Sequence, residues 1–371
     1  MKKSSILAAV ALSGAAAVML AGCAGGGGDN GGSTEGGGDA ASRACVILPD
    51  AASSPRWENL DRPFLQEGLE AAGFEADIQN AQNDKEKYAT IADQQLTQGC
   101  GVMLLVDLQG AAVAVGEKAK AEGIPVIAYD RPFDGADYYV SFDNEEVGRL
   151  QGQTVLDGLE AAGVAPADAT VVYIGGDPAD GNAKMFHDGA DEVLSEAGVT
   201  PAAEPDGAWD QDISQTNFEN ALTSLSGQVD GVWAANDTNA AGVITVLQDN
   251  SLTGVAVSGQ DANVAGLQNI LGGWQTATVW KPVKDEADAA VELAVALLNG
   301  ETPSADAELE DGTPYIQVTP QLVGPDKVKD VVAAGGYATF DELCTGTIPS
   351  ITDPSTEVNL ADLCAEYGVT E

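Results

Sequence analysis

The sequence predicts an α/β protein of two lobes, each a doubly wound parallel sheet with helices on both faces. Short apolar runs alternate with longer amphipathic stretches, which is typical of consecutive βαβ units. The alternation starts again after the run YYVSFD (138–143). The folded part, from about residue 43 to residue 371, is longer than one hydrophobic core usually supports, so two lobes are expected.

The first half predicts strands separated by helices. The apolar run CVILPD (45–50) predicts a buried strand, and an amphipathic helix that ends at Gly73 follows it. That helix carries its large apolar residues on one face, at Leu60, Phe64, Leu65 and Leu69. Two more helical stretches lead into the strands VMLLVD (102–107) and IPVIAYD (124–130). Strands linked in this way pair in parallel and are covered on both faces.

The second half repeats this pattern. A long helix (145–163) leads into TVVYIGG (170–176), and the next helix runs from Ala183 to Ala197. Three further strands are predicted, at GVWAAND (231–237), VAVSGQD (255–261) and TATVW (276–280). The last fifty residues are less periodic and rich in Pro, Gly and Thr, which indicates a return segment followed by a tail.

The N-terminal residues indicate export. Two lysines precede an apolar stretch (6–20) that is too short for a comfortable membrane span. The run LAGC that ends at Cys23 resembles a bacterial lipobox, so residues 1–22 are expected to be a lipoprotein signal peptide and Cys23 the lipidated residue. An ordinary signal with an incidental cysteine is the alternative. Residues 23–42 are rich in glycine and are expected to be a lipid-anchored, flexible tether.

The strongly negative net charge speaks against anionic partners. The formal net charge of −42 repels nucleic acid and anionic lipid headgroups, so no nucleic-acid partner is expected. Solubility in a salty or host-specific medium explains this charge better than an acidic recognition function. Past the signal, no apolar stretch is long enough to span a membrane.

Four cysteines besides Cys23 form an even set in an oxidising compartment. Cys45 and Cys100 each begin an apolar run, so they can pair if those runs are adjacent parallel strands. Cys344 and Cys364 flank the loop-rich tail and form the other candidate pair, with four free thiols as the alternative. A single histidine and the absence of close cysteine spacing speak against a metal site, and no cofactor is expected.

Polar residues recur where predicted strands end, which is where open α/β sheets bind ligands. One aspartate after a strand is usually a helix cap, but arginine and lysine do not cap helix N-termini. The recurring residues come from both halves of the chain: Arg56, Trp57, Asp130, Arg131, Asp177, Asp180, Asn182, Asn236, Asp237, Asp261 and Lys281. Trp209 lies on a loop.

This set suits a neutral polyol. Sugar hydroxyls both donate and accept hydrogen bonds, carboxylates accept them, and arginine and lysine donate them. Acids and bases are roughly balanced, so a neutral ligand leaves no large uncompensated charge. Trp57 and Trp209 offer flat apolar faces to the C–H groups of a sugar ring, and packing in the core is the alternative role for each.

With these residues in view, the chain resembles the type I periplasmic sugar-binding proteins of ABC importers, and among them the D-xylose-binding and multiple-sugar-binding proteins. The stretches that carry the resemblance cover most of the folded body: SSPRW (53–57), VIAYDRP (126–132), YYVSFDNEEVG (138–148), GGDPADGNAKMF (175–186), ANDTNAAG (235–242) and 257–282. The resemblance implies sugar contacts at Arg56, Trp57, Asp130, Arg131, Asp180, Asn182, Trp209, Asn236, Asp237, Asp261 and Lys281.

Two departures from the family pattern speak against strict selectivity for xylose. Xylose binders often have Asp-Asn-Asn-Ala where this chain has Asp180-Gly181-Asn182-Ala183, which removes one side chain from the pocket edge. The stretch SSPRW is more similar to the multiple-sugar receptors. The tail with its two cysteines exceeds what the family leads us to expect.

The resemblance also implies lobes that are discontinuous in sequence. The N-terminal lobe is expected to comprise 45–141 and 263–301, and the C-terminal lobe with the tail 144–260 and 314–371. Three crossings would form the hinge, near Phe142–Asp143, near Gly259–Asp261 and within 302–313. The expected protein is a monomer that binds a monosaccharide outside the cytoplasmic membrane, with D-xylose as the first candidate. It would deliver the sugar to an ABC permease and its ATPase.

Other functions remain open at this stage. A multiple-sugar receptor, a chemosensory receptor or a receptor for a non-sugar ligand, such as a cyclic signalling furanose, would use the same architecture. A secreted glycosidase would need a carboxylate pair, and Asp130 with Asp261 is conceivable. Neighbouring cations favour ionised carboxylates there, which suits ligand holding better than proton transfer. A sugar-responsive repressor lacks its DNA-binding head and has the wrong charge.

Overall fold

The computed structural model of the protein describes three stretches of the chain, residues 42–51, 56–334 and 338–370. The predicted signal peptide (1–22), Cys23 and nearly all of the tether (23–42) lie outside them. Within the described stretches, no helix combines the length and apolarity that a membrane crossing requires.

The first part of the chain alternates strands with helices, as the sequence predicts. Its elements are β1 (Arg43–Leu48), α1 (Arg62–Ala71), β2 (Glu75–Asn80), α2 (Lys85–Gln98), β3 (Val102–Leu105), α3 (Ala111–Ala121), β4 (Val126–Tyr129) and β5 (Tyr138–Phe142). A π-helical turn (Trp57–Asp61) precedes α1.

The second part repeats the alternation. Its elements are α4 (Asn144–Ala162), β6 (Val171–Ile174), α5 (Gly181–Glu196), β7 (Pro201–Ala203), α6 (Gln211–Ser224), β8 (Gly231–Ala234), α7 (Asp237–Asp249), β9 (Ala256–Val257), α8 (Val264–Leu271) and β10 (Thr278–Trp280).

The remaining elements form the return segment and the tail. They are α9 (Val283–Leu298), β11 (Ala307–Glu308), β12 (Pro314–Val318), β13 (Gln321–Val323), α10 (Val328–Ala334), α11 (Phe340–Cys344), β14 (Thr347–Pro349), β15 (Glu357–Asn359) and α12 (Leu360–Glu366).

The first lobe is built on a seven-stranded sheet in the order β11-β12-β5-β4-β3-β1-β2. Every pairing in it is parallel except that of the edge strand β11 with β12. One face packs against α1 and α9 through residues such as Leu65, Leu69 and Leu293. The other face buries Tyr88 and Val115, from α2 and α3. Helices on both faces confirm the predicted doubly wound architecture.

The second lobe is built on a parallel sheet in the order β7-β6-β8-β9. A bridge between Gln260 and Val279 adds β10, which pairs in antiparallel fashion with β13. Helices α4 and α5 pack on one face with Trp233 at the centre, and α6 and α7 pack on the other. The tail adds the β14–β15 hairpin, which packs against Trp274, and the helices α11 and α12, which pack against α8.

The chain crosses between the lobes three times, and two of the crossings differ from the predicted ones. The first lies at Phe142–Asp143, between β5 and α4. The second lies at Lys281–Pro282 instead of Gly259–Asp261, because α8 packs against α7 and the tail while α9 packs against α1. The third lies between Val318 and Gln321 instead of within 302–313, because β12 extends the first sheet beside β5. Residues 263–280 therefore belong to the second lobe, and residues 314–318 belong to the first.

Both candidate cysteine pairs form disulfides in the structure. Cys45 at β1 bonds Cys100, which precedes the neighbouring parallel strand β3, as the strand argument predicts. Cys344 at the end of α11 bonds Cys364 in α12 and closes the tail. The four cysteines are therefore structural residues and not free thiols.

Glycines allow the close crossing of α4 and α5. A Cβ atom at Gly148 would overlap the backbone oxygen of Phe186, and one at Gly189 would overlap the backbone oxygen of Glu145. The two helix backbones therefore touch without side chains between them. This contact fixes α5, and with it the loop and first turn that carry Asp180 and Asn182.

We predict that Gly189→Ala destabilises the protein by about 2–3 kcal/mol, because the added methyl group meets rigid backbone. Gly324→Ala is the matched control, since Gly324 has open space around its Cα atom and a φ of −91°. Urea denaturation of both variants measures the difference. Equal loss of stability in the two variants would contradict a close helix crossing.

Candidate functional site

The predicted site residues converge on a cavity between the two lobes. It lies beyond the carboxyl ends of the strands, where parallel α/β sheets bind ligands. Ten of the eleven predicted contacts line it: Arg56, Trp57, Asp130, Arg131, Asp180, Asn182, Trp209, Asn236, Asp261 and Lys281. Phe186 and Gln260 complete the lining. Residues 53–55 of the SSPRW stretch lie outside the described residues.

Arg56 is held by three carboxyl groups. Its Nε and Nη2 atoms donate to the two oxygens of Asp61 at 2.9 and 2.7 Å. Nη1 donates to Asp130 at 2.7 Å, and Nη2 also donates to Glu286 at 2.5 Å. Arg56 is only 5 % exposed, and Asp61 and Glu286 are fully buried. Four of its five N–H groups are thus used within the described protein, which fixes the direction of the fifth, on Nη1.

These contacts shift the pKa values of the groups involved. Burial opposes the charge of Asp130, but Arg56, Lys281 and Arg131 outweigh burial and lower its pKa. Burial raises the pKa of Glu286 well above its ordinary value, and the attraction of Arg56 offsets only part of this. Asp130 is therefore the ionised partner that faces the cavity, as the neighbouring cations predict.

Trp57 makes cation–π contacts with two guanidinium groups. The Arg56 carbon Cζ is 4.7 Å from the ring centroid, and that of Arg131 is 5.4 Å from it. Such cation–π contacts fix the indole plane. Trp57 is 2 % exposed and begins the π-helical turn, so it presents a rigid apolar wall to the cavity.

Arg131 and Asp180 join the lobes across the cavity. The Arg131 Nε atom lies 3.0 Å from an oxygen of Asp180, which also accepts a hydrogen bond from the Trp209 indole at 3.2 Å. The other oxygen of Asp180 caps α5 by accepting from the backbone N–H of Asn182 at 2.9 Å. Asp180 therefore acts as a helix cap and as a site residue at once. Burial raises its pKa, partly offset by Arg131.

Asn182 is a second polar link between the lobes. Its Nδ2 atom donates to the backbone oxygen of Asp130 at 2.7 Å. Its Oδ1 atom lies 2.9 Å from the Tyr139 hydroxyl and accepts from Asn144 Nδ2 at 3.0 Å. Tyr139 and Asn144 are buried and do not line the cavity, so they position Asn182 from behind.

Asp261 and Lys281 supply the third charged pair. The Lys281 Nζ atom lies 3.2 Å from Asp261 and 5.7 Å from the ring centroids of Phe142 and Phe186. Lys281 is 6 % exposed and sits on the second interlobe crossing. Asn236, at the end of β8, caps α7 through its side-chain oxygen, which accepts from the N–H of Asn239 at 2.8 Å.

Two site carboxylates stand on left-handed backbone. Asp130 has a φ of 60° and Asp261 a φ of 95°, a region that side chains other than glycine rarely adopt. Such strain concentrates at functional sites, where surrounding contacts hold it in place.

Asp237 is the one predicted contact that the structure places away from the cavity, because it is fully buried and absent from the lining. Its carboxylate accepts from Gln275 and Thr278 at 2.8 Å and from the backbone N–H of Asn263 at 3.0 Å. As the first residue of α7, it points into the protein while the neighbouring Asn236 faces the cavity. Asp237 braces the strand ends around Asp261 and does not line the cavity.

Sequence reasoning missed four residues. Gln260 ends a predicted strand directly before Asp261, so the strand-end rule could have found it. Phe186 and Glu286 lie inside helical stretches, and Asp61 lies in the π-helical turn, where no sequence signal separates them from other residues.

A larger cleft of about 480 Å³ continues outward from the cavity and shares Arg131, Asp180 and Trp209 with it. Its outer wall is acidic, with Asp107 and Asp177 on opposite lobes. Gln109 Nε2 donates to Asp177 at 3.2 Å, which adds a further polar contact between the lobes near the rim.

The cavity is built to hold a neutral polar molecule. Three cations face three carboxylates: Arg56, Arg131 and Lys281 against Asp130, Asp180 and Asp261. Two lobes that meet over such a cavity define a ligand-binding protein.

Comparison with known proteins agrees with this class. The model of the periplasmic binding protein domain matches residues 45–302, so the chain belongs to that family. The chain is 36% identical over 301 residues to the D-xylose-binding periplasmic protein of Escherichia coli (strain K12), covering 78% of this chain and 88% of that protein. It is 30% identical over 331 residues to the multiple sugar-binding periplasmic receptor ChvE of Rhizobium radiobacter, covering 80% and 91%. These relatives are binding proteins and not enzymes.

A solved structure shows the same fold. The ABC transporter solute binding protein from Clostridium phytofermentans with bound β-D-glucose superimposes with a TM-score of 0.72 at 27% identity. The match covers 81% of this chain and 99% of that one. The predicted family and the two-lobed fold are thus confirmed.

We predict that Asp237 makes stability depend on pH. Burial and the nearby Asp261 raise the pKa of Asp237 to about 7. Between about pH 4 and pH 7 the folded state then binds more protons than the unfolded state, so the free energy of unfolding falls as pH rises. Over this range, the free energy of unfolding of the wild type should fall by up to about 4 kcal/mol relative to that of Asp237→Asn.

Urea denaturation of both proteins at pH 4.5, 6 and 8 measures this difference. A difference between the two proteins that stays constant across the three pH values would rule out a raised pKa at Asp237.

Proposed function

We propose that this protein is the extracytoplasmic sugar-binding component of an ABC importer and that it binds one monosaccharide between its lobes. The observation that carries the proposal is the cavity, where balanced charged pairs and the indole of Trp57 meet between two hinged lobes. Charged groups form strong hydrogen bonds to hydroxyls, and the indole face covers the C–H groups of a pyranose. The relatives support the same reading, since their names state sugar binding.

D-xylose is the first ligand we propose. Two D-xylose-binding periplasmic proteins, at 36% and 34% identity, support this choice. Gly181, which contributes no side chain to the pocket edge, and the multiple-sugar receptors at 30% and 31% identity favour a wider range of sugars as the alternative.

The polar residues predicted from the sequence each have a proposed part in binding. Arg56 offers its remaining Nη1 donor beside Asp130, so the two can hold adjacent hydroxyls of one sugar. Arg131 and Asp180 form an ion pair that reaches the ligand from opposite lobes. Asp261 and Lys281 form a second ion pair, near the proposed hinge. Asn182, Asn236 and Trp209 complete the second lobe's share.

Closure is the proposed signal to the transporter. The three crossings allow the lobes to rotate, and the contacts of Arg131 and Asn182 across the cleft form only when the lobes meet. A sugar that contacts both lobes binds the closed state better than the open one and shifts the population towards it. We propose that an ABC permease with its ATPase recognises this closed state of a monomer.

We further propose that the mature chain is anchored by lipid at Cys23 on the outer face of the cytoplasmic membrane. The lipobox-like run before Cys23 and the glycine-rich stretch after it support this placement. A tether of this composition lets the lobes move freely above the membrane surface.

Calorimetric titration with D-xylose, D-glucose, D-galactose, L-arabinose and D-ribose tests the proposed function. Tight binding of D-xylose alone identifies a xylose receptor, and comparable binding of several sugars identifies a multiple-sugar receptor. Absence of heat from every sugar, with folded and ligand-free protein, would refute the proposal.

Lys281→Met is predicted to weaken sugar binding about 10- to 100-fold, because it removes a buried charged donor without shortening the side chain. Lys284→Met is the matched control, since Lys284 lies three residues later, is exposed and pairs with Asp288 outside the cavity. Calorimetry on both variants measures the affinities. Similar affinities in the two variants would remove Lys281 from the site.

Cys23→Ala is predicted to release the protein from the membrane fraction of the producing cell. Mass spectrometry of the wild-type N-terminus should show a mature chain that begins with lipidated Cys23. An unmodified N-terminus at another position would leave the ordinary signal peptide as the explanation.

A further inference from the structure

Gln260 carries a buried acceptor at the wall of the cavity. The residue is 2 % exposed and follows β9 directly before Asp261. It lines the cavity beside Asn236 and Lys281. Its Oε1 atom has no hydrogen-bond partner among the described residues. Leaving such an oxygen unsatisfied is costly, so a donor from a ligand would be stabilised there.

The orientation of the amide is fixed. Gln260 Nε2 donates to the backbone oxygen of Ala235 at 2.8 Å. Rotating the amide by half a turn would place Oε1 against the backbone oxygen of Ala235, so Oε1 is the atom without a partner. The backbone on either side is also held, because Gln260 O accepts from the N–H of Asp237 at 3.0 Å and the residue bridges to Val279.

Other buried amide oxygens do not share this position. Within the described stretches, four more lack a hydrogen-bond partner, and none of their residues lines the cavity: Gln95, Asn144, Asn239 and Gln275. Gln260 thus combines an unsatisfied acceptor with a place in the site.

We propose that Gln260 is a further ligand contact, whose Oε1 accepts a hydrogen bond from one hydroxyl of the bound sugar. This inference rests on the proposed function, because it names one more recognition element of the same site. A neutral amide oxygen requires a donor, so it distinguishes a hydroxyl from a hydrogen or an ether oxygen at that position. Together with the neighbouring carboxylate of Asp261, it would accept hydrogen bonds from two hydroxyls on one side of the sugar ring.

Gln260→Met tests the proposal, since methionine has a similar length and lacks the acceptor. We expect about tenfold weaker binding of the sugar that the wild type binds best. The monodeoxy analogues of that sugar locate the contact. The analogue that lacks the contacted hydroxyl should bind the wild type and the variant equally, and the others should keep the tenfold difference.

Gln275→Met is the matched control. Gln275 is also a buried glutamine whose Oε1 lacks a partner, but its Nε2 donates to Asp237 at 2.8 Å and it does not line the cavity. We expect this variant to lose stability in thermal melting and to keep the wild-type affinity for the sugar.

The outcomes separate the two proposals. No binding by the wild type refutes the proposed function itself. Wild-type affinity in Gln260→Met, or an equal loss for every deoxy analogue, overturns the role of Gln260 alone. If the variant does not fold, a crystal structure of the wild-type complex decides. A sugar hydroxyl within about 3.2 Å of Oε1 supports the contact, and any other neighbour of that oxygen overturns it.

Discussion

The buried guanidinium of Arg56 is the interaction on which the site depends. It draws Asp61 from the π-helical turn, Asp130 from the end of β4 and Glu286 from α9 into one cluster. A charge buried this deeply is tolerated only when its donors are met, and removal of one partner typically costs several kcal/mol. The cluster therefore ties the turn before α1, the end of β4 in the first sheet and helix α9 to one geometry. The ligand meets its outer edge, where Asp130 faces the cavity.

The periodic pattern was sufficient for most of the fold. Alternating apolar runs predicted the order of strands and helices, and the position of Cys45 and Cys100 at neighbouring strands predicted their disulfide. The lobe boundaries could not be read in the same way. Helix α8 and strand β12 have ordinary amphipathic patterns, and only their packing partners decide which lobe they join. Assignment of a segment to a lobe is a tertiary property, because either sheet would bury the same apolar face.

The strand-end rule selected ten residues that line one cavity, because parallel strands deliver their carboxyl ends to one edge. Asp237 lies away from that cavity, because the chain has already entered α7 and the side chain turns inward towards Thr278. The rule could not find Glu286, which reaches the site from a helix through Arg56. Position along a strand predicts which loop reaches the cavity, whereas the direction of each side chain depends on local backbone angles and on neighbours distant in sequence.

Lys281 lines the cavity and also lies at the second crossing between the lobes. It directly precedes Pro282 and lies two residues before α9, the helix that contributes Glu286 to the Arg56 cluster. A substitution that alters what this lysine holds therefore also alters how the segment bends. We therefore expect the preference for one ligand over another and the ease of the proposed opening to change together. Natural variants that gain a new ligand through this segment would be expected to release it at a different rate as well.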